Sequence, residues 1–270
     1  MNLIDPIGFA AELAAHAERH GPITIGLAGA GQMGTDIVVQ AALMRGIRIG
    51  AIAASRPTRP MEAIAMAGHS EGHGIIVDTD AAIDAAIEAG RIAVTDDLTA
   101  LTRAGRIDVV VDATGSPEIG TLLALESVRN GKHIVMLNVE ADITVGRYLA
   151  EEARKAGVVY TGSAGDEPAA TLDLIAFAQA LGMDVIAAGK GKNNALDFNA
   201  VPSDFEEEAR ARNMNPRILV EFVDGSKTMV EMTAIANCTG LLPDVPGMHG
   251  PAATLDLSLI HISEPTRLLS

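Results

Sequence analysis

Two apolar patterns alternate along the chain. Short, nearly continuous apolar runs occur at Ile23–Ala28, Ile47–Ala54, Arg91–Thr95, Ile107–Thr114, His133–Asn138 and Val158–Gly162. Such runs fit strands covered on both faces, as in a parallel sheet packed between helices. Between them lie segments with helical spacing at Thr35–Arg45, Pro60–Ala67, Ala81–Ala89, Glu118–Asn130 and Ile143–Ala156. A leading amphipathic helix spans Asp5–His20, with Ile7, Leu13 and Ala14 on one side and Pro22 beyond its end. Strand and helix in turn imply right-handed βαβ units, so the expected fold is α/β with a doubly wound parallel sheet.

The rhythm changes after Gly162. A helix over Ala169–Leu181 leads to VIAAGKGKNN, half strand and half polar loop, and then to an acidic helix over Asp204–Asn213. A strand-like RILVEFV (217–223) and a helix around Lys227–Asn237 follow. Ser203-x-x-Glu206 has the form of a capping box, which makes the acidic run Asp204–Glu208 a helix start and not a catalytic cluster. The expected division is a Rossmann domain over 1–162 and a smaller, incomplete α+β catalytic domain over 163–256. The final segment, LSLIHISEPTRLLS (257–270), breaks the preceding register. It resembles a translated adapter read-through and is expected to be non-native, with the natural chain cut near Asp256.

Composition narrows the function. Hydrophobic residues make up 48% and Trp is absent, which suits helices on a buried sheet better than an aromatic-rich sandwich. A formal net charge of −15 argues against nucleic acid as a partner, although a few local lysines can still serve a small anionic substrate. Cys238 is the single cysteine and has no partner for an intrachain disulfide, so a reducing cytoplasm is the expected setting. No signal peptide is visible, and no run approaches the roughly 20 apolar residues that span a bilayer. A small-molecule substrate is the expected partner, with homo-oligomerisation open and membranes excluded.

Chemistry is concentrated in a few short motifs. GAGQMG places Gly29, Gly31 and Gly34 in G-x-G-x-x-G spacing, with Gln32 and Met33 inside the turn, after an apolar strand and before a helix. The first glycine permits a tight turn, the second lets backbone approach a pyrophosphate, and the third allows close helix–strand packing. NAD enzymes usually carry an acid about 20 residues further on, at the end of the second strand. Here AIAASRPTRP has none, and Ser55 and Arg56, with Arg59 nearby, suit the 2′-phosphate of NADP instead. DATGSPEIG sets Thr114, Gly115 and Ser116 at a strand end beside the switch point, where a nicotinamide would lie, and Asn138 ends the next strand. Ser116 before Pro117 also has the form of a helix cap, and Asn138 admits the same reading.

Two later clusters are candidates for catalysis. GSAGDEPA brings Ser163, Asp166 and Glu167 into one loop, where an acid either serves the chemistry or caps the helix beginning near Pro168. GKGKNN offers Lys190, Lys192, Asn193 and Asn194, a dense donor set for a phosphate or oxyanion or, alternatively, a solvated turn. A lysine there also suits a general acid toward a carbonyl receiving hydride. His69, Glu71 and His73 lie in a glycine-broken loop and are not read as metal ligands; no metal site is assigned.

On GAGQMG, DATGSPEIG, GSAGDEPA and GKGKNNALDFNA, the chain resembles homoserine-dehydrogenase-like oxidoreductases with a C-terminal SAF domain. Within them it is most similar to the 1-deoxy-D-xylulose 5-phosphate reductoisomerase-like branch. The resemblance implies NADPH-dependent conversion of that sugar phosphate to 2-C-methyl-D-erythritol 4-phosphate, an early step toward isoprenoids. It also implies that Lys190, Lys192 and Asn193 hold phosphate or reacting oxygens, with Glu167 and Asp197 beside them. Homoserine dehydrogenases carry an Asn-Lys pair where this chain reads Asn138-Val139-Glu140, and the SAF domain is missing. The alternatives are reduction of aspartate semialdehyde, as in homoserine dehydrogenase, and a non-enzymatic NADP-binding sensor.

Overall fold

The computed structural model describes residues 6–191, 196–212 and 214–248. Seven parallel strands form one sheet: β1 (Ile23–Ala28), β2 (Ile47–Ala53), β3 (Gly74–Ile76), β4 (Ile92–Thr95), β5 (Val109–Asp112), β6 (His133–Met136) and β7 (Tyr160–Gly162). Their order across the sheet is β3-β4-β2-β1-β5-β6-β7. From β1 the chain passes to β2 and the edge strand β3, then returns to set β4 between them, and from β5 it runs outward on the other side. The carboxyl ends of β1 and β5 flank the switch point, where doubly wound sheets bind their ligands.

The helices of this part are α1 (Phe9–His20), α2 (Gln32–Ala41), α3 (Thr58–Met66), α4 (Asp80–Glu88), α5 (Ala100–Arg103), α6 (Pro117–Arg129) and α7 (Val139–Ala156). One sheet face packs Leu27, Ile52 and Val94 against Val38 of α2 and Ile64 of α3. The other packs Val110, Ile134 and Met136 against Ile87, Leu101, Leu123 and Leu149 of α4 to α7. Burying each of these aliphatic side chains contributes about 1.5–3 kcal/mol. The expected doubly wound sheet is present, with β3 and the short α5 as additions.

Two glycines explain how β1 meets its turn. Gly29 has φ of +99°, and a Cβ there would stand 2.6 Å from the Ala113 carbonyl oxygen. A Cβ on Gly34, inside α2, would collide with the Gly29 carbonyl. Both positions need the missing side chain so that the turn can lie against β5 and the helix against the turn.

Beyond β7 the described residues form helices: α8 (Ala169–Ala180), a 3₁₀ turn (Pro202–Phe205), α9 (Glu206–Ala211), α10 (Pro216–Val223) and α11 (Ser226–Thr239). The strands expected here are corrected. RILVEFV is α10, because Asn215 caps it by accepting from the Arg217 N–H at 3.0 Å and Pro216 fits its first turn. Its buried side, Leu219 and Val220, then follows helical spacing. VIAAGK (185–190) has no ladder partner and is not a strand. The carboxylate that reaches back at the acidic helix belongs to Asp204, which accepts from the Val201 N–H at 3.0 Å, and not to Glu206. The segment 257–270 lies outside the described residues, as do Lys192 and Asn193.

Candidate active site

The Gly29–Gly34 turn emerges from β1 at the switch point and opens directly into α2. Gly31 is the N-cap of α2 and no side chain caps it, which leaves the first N–H groups of the helix facing outward. A Cβ built on Gly31 would meet nothing within 4 Å. The glycine whose packing does not require it thus stands beside open space at a positive helix end. That geometry fits a pyrophosphate. Gln32 and Met33 occupy the first exposed turn of this helix.

At the end of β2, Ser55, Arg56 and Arg59 are exposed, and neither arginine joins an ion pair among the described residues. A cavity of about 400 Å³ opens there, lined by Ala54, Ser55 and Pro57 and by Val77–Asp78 and Thr95–Asp96. It has room for the adenosine end of a dinucleotide. Asp78 and Asp96 come from the ends of neighbouring strands, so counting from the glycines does not find them.

The loop after β5 is tied down by a buried carboxylate. Asp112, fully buried at the end of β5, accepts from the Thr114 N–H at 2.9 Å and the Thr114 hydroxyl at 2.7 Å. Asn138 Nδ2 donates to its other oxygen at 3.0 Å and to the Ser116 carbonyl at 2.7 Å. Asn138 Oδ1 accepts from the Ala141 N–H at 3.1 Å and so caps α7. Gly120 lets α6 close over this network, since a Cβ there would lie 2.5 Å from Asp112 Oδ2.

Asn138, expected among the cofactor contacts, is held inside this network. Its side chain is buried and fully hydrogen-bonded, so it positions the Thr114–Ser116 loop instead of facing the crevice. Ser116 is the N-cap of α6, and Gly115, at φ +69°, meets nothing within 4 Å. Asn138→Ala removes a donor to a buried charge and a helix cap together, for an expected loss of roughly 2–4 kcal/mol. Thermal unfolding checks this: Tm should fall by several degrees, and an unchanged Tm contradicts the positioning role.

The loop leaving β7 carries the second part of the site on the same carboxyl edge. Neither Asp166 nor Glu167 caps α8, whose N-cap is Pro168. Both turn toward Lys190, whose Nζ lies 3.3 Å from Asp166 Oδ1 and 2.6 Å from Glu167 Oε2. A third carboxylate, Glu231 of α11, stands 3.1 Å from the same nitrogen and is almost fully buried. Burial works against the Lys190 charge, but hydrogen bonds to Glu167 and Glu231 outweigh it and hold the ammonium above the ordinary lysine value. The hydrogen bond that Glu167 shares with Asp166, with burial, pushes the Glu167 carboxyl up. Burial also opposes the Asp166 charge, yet the bond from Glu167 and the pull of Lys190 keep its carboxyl low. A fixed cation and a carboxyl raised above its ordinary value therefore stand side by side.

Asp197 is not part of this cluster. It is exposed, its carboxylate accepts from the Asn199 N–H at 3.0 Å, and its own N–H donates to Val223. That is a turn-forming role. Val139 and Glu140 begin α7, and Glu140, together with burial, raises the carboxyl of Glu221 on α10. The cation at this site comes from Lys190 instead.

Residues 29–161 match the family model described as homoserine dehydrogenase, NAD binding domain, and residues 165–266 match oxidoreductase DRL, catalytic domain. No curated protein sequence matches the chain. Among solved structures it is similar to an NAD binding oxidoreductase from Klebsiella pneumoniae, at 20% identity and TM-score 0.38, over 53% of this chain and 34% of that one. A homoserine dehydrogenase from Thiobacillus denitrificans is 21% identical with TM-score 0.37, over 51% and 28% of the two chains. Biliverdin reductase from Synechocystis sp. PCC 6803, in complex with biliverdin and NADP⁺, is 17% identical with TM-score 0.40, over 60% and 43%. The chain spans about a third of the length of the first two. Among the described residues no helix is long and apolar enough to cross a membrane. In chain order, the sequence thus matches an NAD-binding domain of the homoserine dehydrogenase type and then an oxidoreductase DRL catalytic domain.

Proposed function

We propose that the whole protein reduces the carbonyl of a small anionic substrate with NADPH, and that the substrate is a sugar phosphate of the 1-deoxy-D-xylulose 5-phosphate type. The observation that carries this reading is the Lys190 ammonium held by Asp166, Glu167 and Glu231 on the nucleotide-binding edge of the sheet. When bound, the nicotinamide supplies hydride. The Gly29–Gly34 turn holds the pyrophosphate, Ser55 and Arg56 hold the 2′-phosphate, and the Thr114–Ser116 loop borders the nicotinamide.

Charge that builds on the substrate oxygen needs a positioned donor, and Lys190 provides one when that oxygen takes the place of one of its three carboxylate partners. Lys190 is assigned the role of fixed cation, and the general-acid role is assigned to Glu167, which stands 2.6 Å from it. Lys192 and Asn193, on the same loop, are assigned to the substrate phosphate. NAD use is the second reading, favoured by Asp78 and Asp96 in the adenosine cavity. The assay is oxidation of NADPH and NADH with 1-deoxy-D-xylulose 5-phosphate, aspartate semialdehyde and an unphosphorylated sugar. Turnover with the sugar phosphate alone supports the reading, and turnover with aspartate semialdehyde alone overturns it.

A further inference from the structure

A second concave site lies at the opposite edge of the sheet. A cavity of about 230 Å³ opens beside the amino ends of β2 and β4, floored by Val38, Ile47, Ile87 and Ile92. Arg48, His69, His73 and Arg91 line its polar side, and no carboxylate lines it among the described residues. In a chain with 35 acids against 20 lysines and arginines, that local inversion of charge stands out. The nucleotide crevice, at the carboxyl ends of the strands, cannot account for it.

The polar groups are held in place. His69 and His73 stack with ring centroids 4.1 Å apart and planes 3° apart. The His73 carbonyl accepts from Ile92, which pins the loop to the start of β4. Arg91 donates one Nη1 bond to the Gly72 carbonyl at 3.0 Å, and Arg48 donates through Nε to Thr24 Oγ1 at 2.9 Å. The remaining guanidinium donors of both arginines are in no ion pair among the described residues. Two guanidinium groups and two imidazoles converging without a carboxylate favour a dianion, and the aliphatic floor favours an organic one. From this geometry we infer that the cavity binds a phosphomonoester with a short apolar body, at a site separate from the dinucleotide.

The charge state of the histidines should report on the ligand. Burial, then repulsion from His69 and Arg91, holds the His73 imidazole below its ordinary value. Arg48 on β2 and Arg91 before β4 face it. The nearest acid in sequence, Glu71, is exposed on the same loop and is not part of the lining; Glu88, at the end of α4, is paired with Arg106. A bound dianion reverses the repulsion, so His73 protonates more readily and binding tightens as the pH falls toward about 6, where the phosphate itself takes up a proton.

The test uses phenyl phosphate and inorganic phosphate as probes of the intact chain. Imidazole resonances of His69 and His73 are followed by NMR, with and without excess NADPH. Phenyl phosphate should shift both histidines and raise the His73 titration midpoint, and it should bind more tightly than inorganic phosphate. Excess NADPH should not displace it. Arg91→Gln should weaken binding about 10-fold or more, while NADPH binding stays unchanged. Unperturbed histidine resonances, displacement by NADPH, or equal binding by a folded Arg91→Gln overturns the inference. Should that variant fail to fold, the histidine titration of the unaltered chain decides alone.

Discussion

Replacing Lys190 with alanine is expected to lower kcat/KM for the carbonyl substrate about 100-fold or more, the usual scale for a positioned donor. NADPH affinity should hold within about twofold, because the dinucleotide cradle comes from other strands. The variant also leaves three carboxylates without their shared ammonium. Glu231, almost fully buried, retains among the described residues the more distant Lys227 ammonium at 3.9 Å. A lower Tm is therefore expected as well, and the double variant Lys190→Met/Glu231→Gln should recover stability without recovering turnover. Stability and catalysis separate in that comparison. If Lys190→Ala turns over normally, the substrate site lies elsewhere; if NADPH binding collapses, the cluster belongs to the cofactor.

Arg56→Ala is the second substitution with a large expected effect. Loss of a charge-assisted bond to a 2′-phosphate should cost NADPH binding roughly 1–3 kcal/mol, or about 5- to 150-fold. NADH lacks that phosphate and should bind the variant as it binds the unaltered chain. Parallel calorimetric titrations with both nucleotides check it. Equal losses for the two, or tighter NADH binding by the unaltered chain, would move the assignment to NAD and give Asp78 and Asp96 the ribose-facing role.

The sheet was legible because its chemistry is local. Strands buried on both faces must be apolar at nearly every position, so Ile23–Ala28 and Val109–Asp112 announce themselves. The glycine spacing was legible because all three fall within one six-residue turn between an apolar strand and a helix. Gly74–Ile76 is only three residues long and follows a glycine-rich loop, which hides it from any periodicity. RILVEFV misleads because an amphipathic helix and a strand share β-branched residues over so short a span. Asn215-Pro216, a cap followed by a first-turn proline, was the signal that decided it.

The site was half legible. Lys190 and Glu167 were marked by their loops, but Glu231 comes from a helix 41 residues beyond Lys190, with no spacing to connect them. Its trace in the sequence is an acid on the same helical face as Ala234 and Ile235, both buried. Asp112 likewise ends an apolar strand with a charge whose second oxygen is met by Asn138, from beyond the neighbouring strand. Contacts between elements, unlike turns and caps, leave no periodic imprint. Asn138 shows the reverse case, where the motif marks the residue and only its burial shows which groups it meets.

Gly31 reports on whether the Gly29–Gly34 turn cradles a nicotinamide dinucleotide. A Cβ at this position meets no protein atom within 4 Å, so Gly31→Ala should leave Tm essentially unchanged. The same methyl group would occupy the space where the pyrophosphate approaches the start of α2. Calorimetric titration with NADPH should therefore show saturable one-site binding by the unaltered chain and at least about 10-fold weaker binding by the variant. No NADPH binding by the unaltered chain, or equal affinity in the two, contradicts the account.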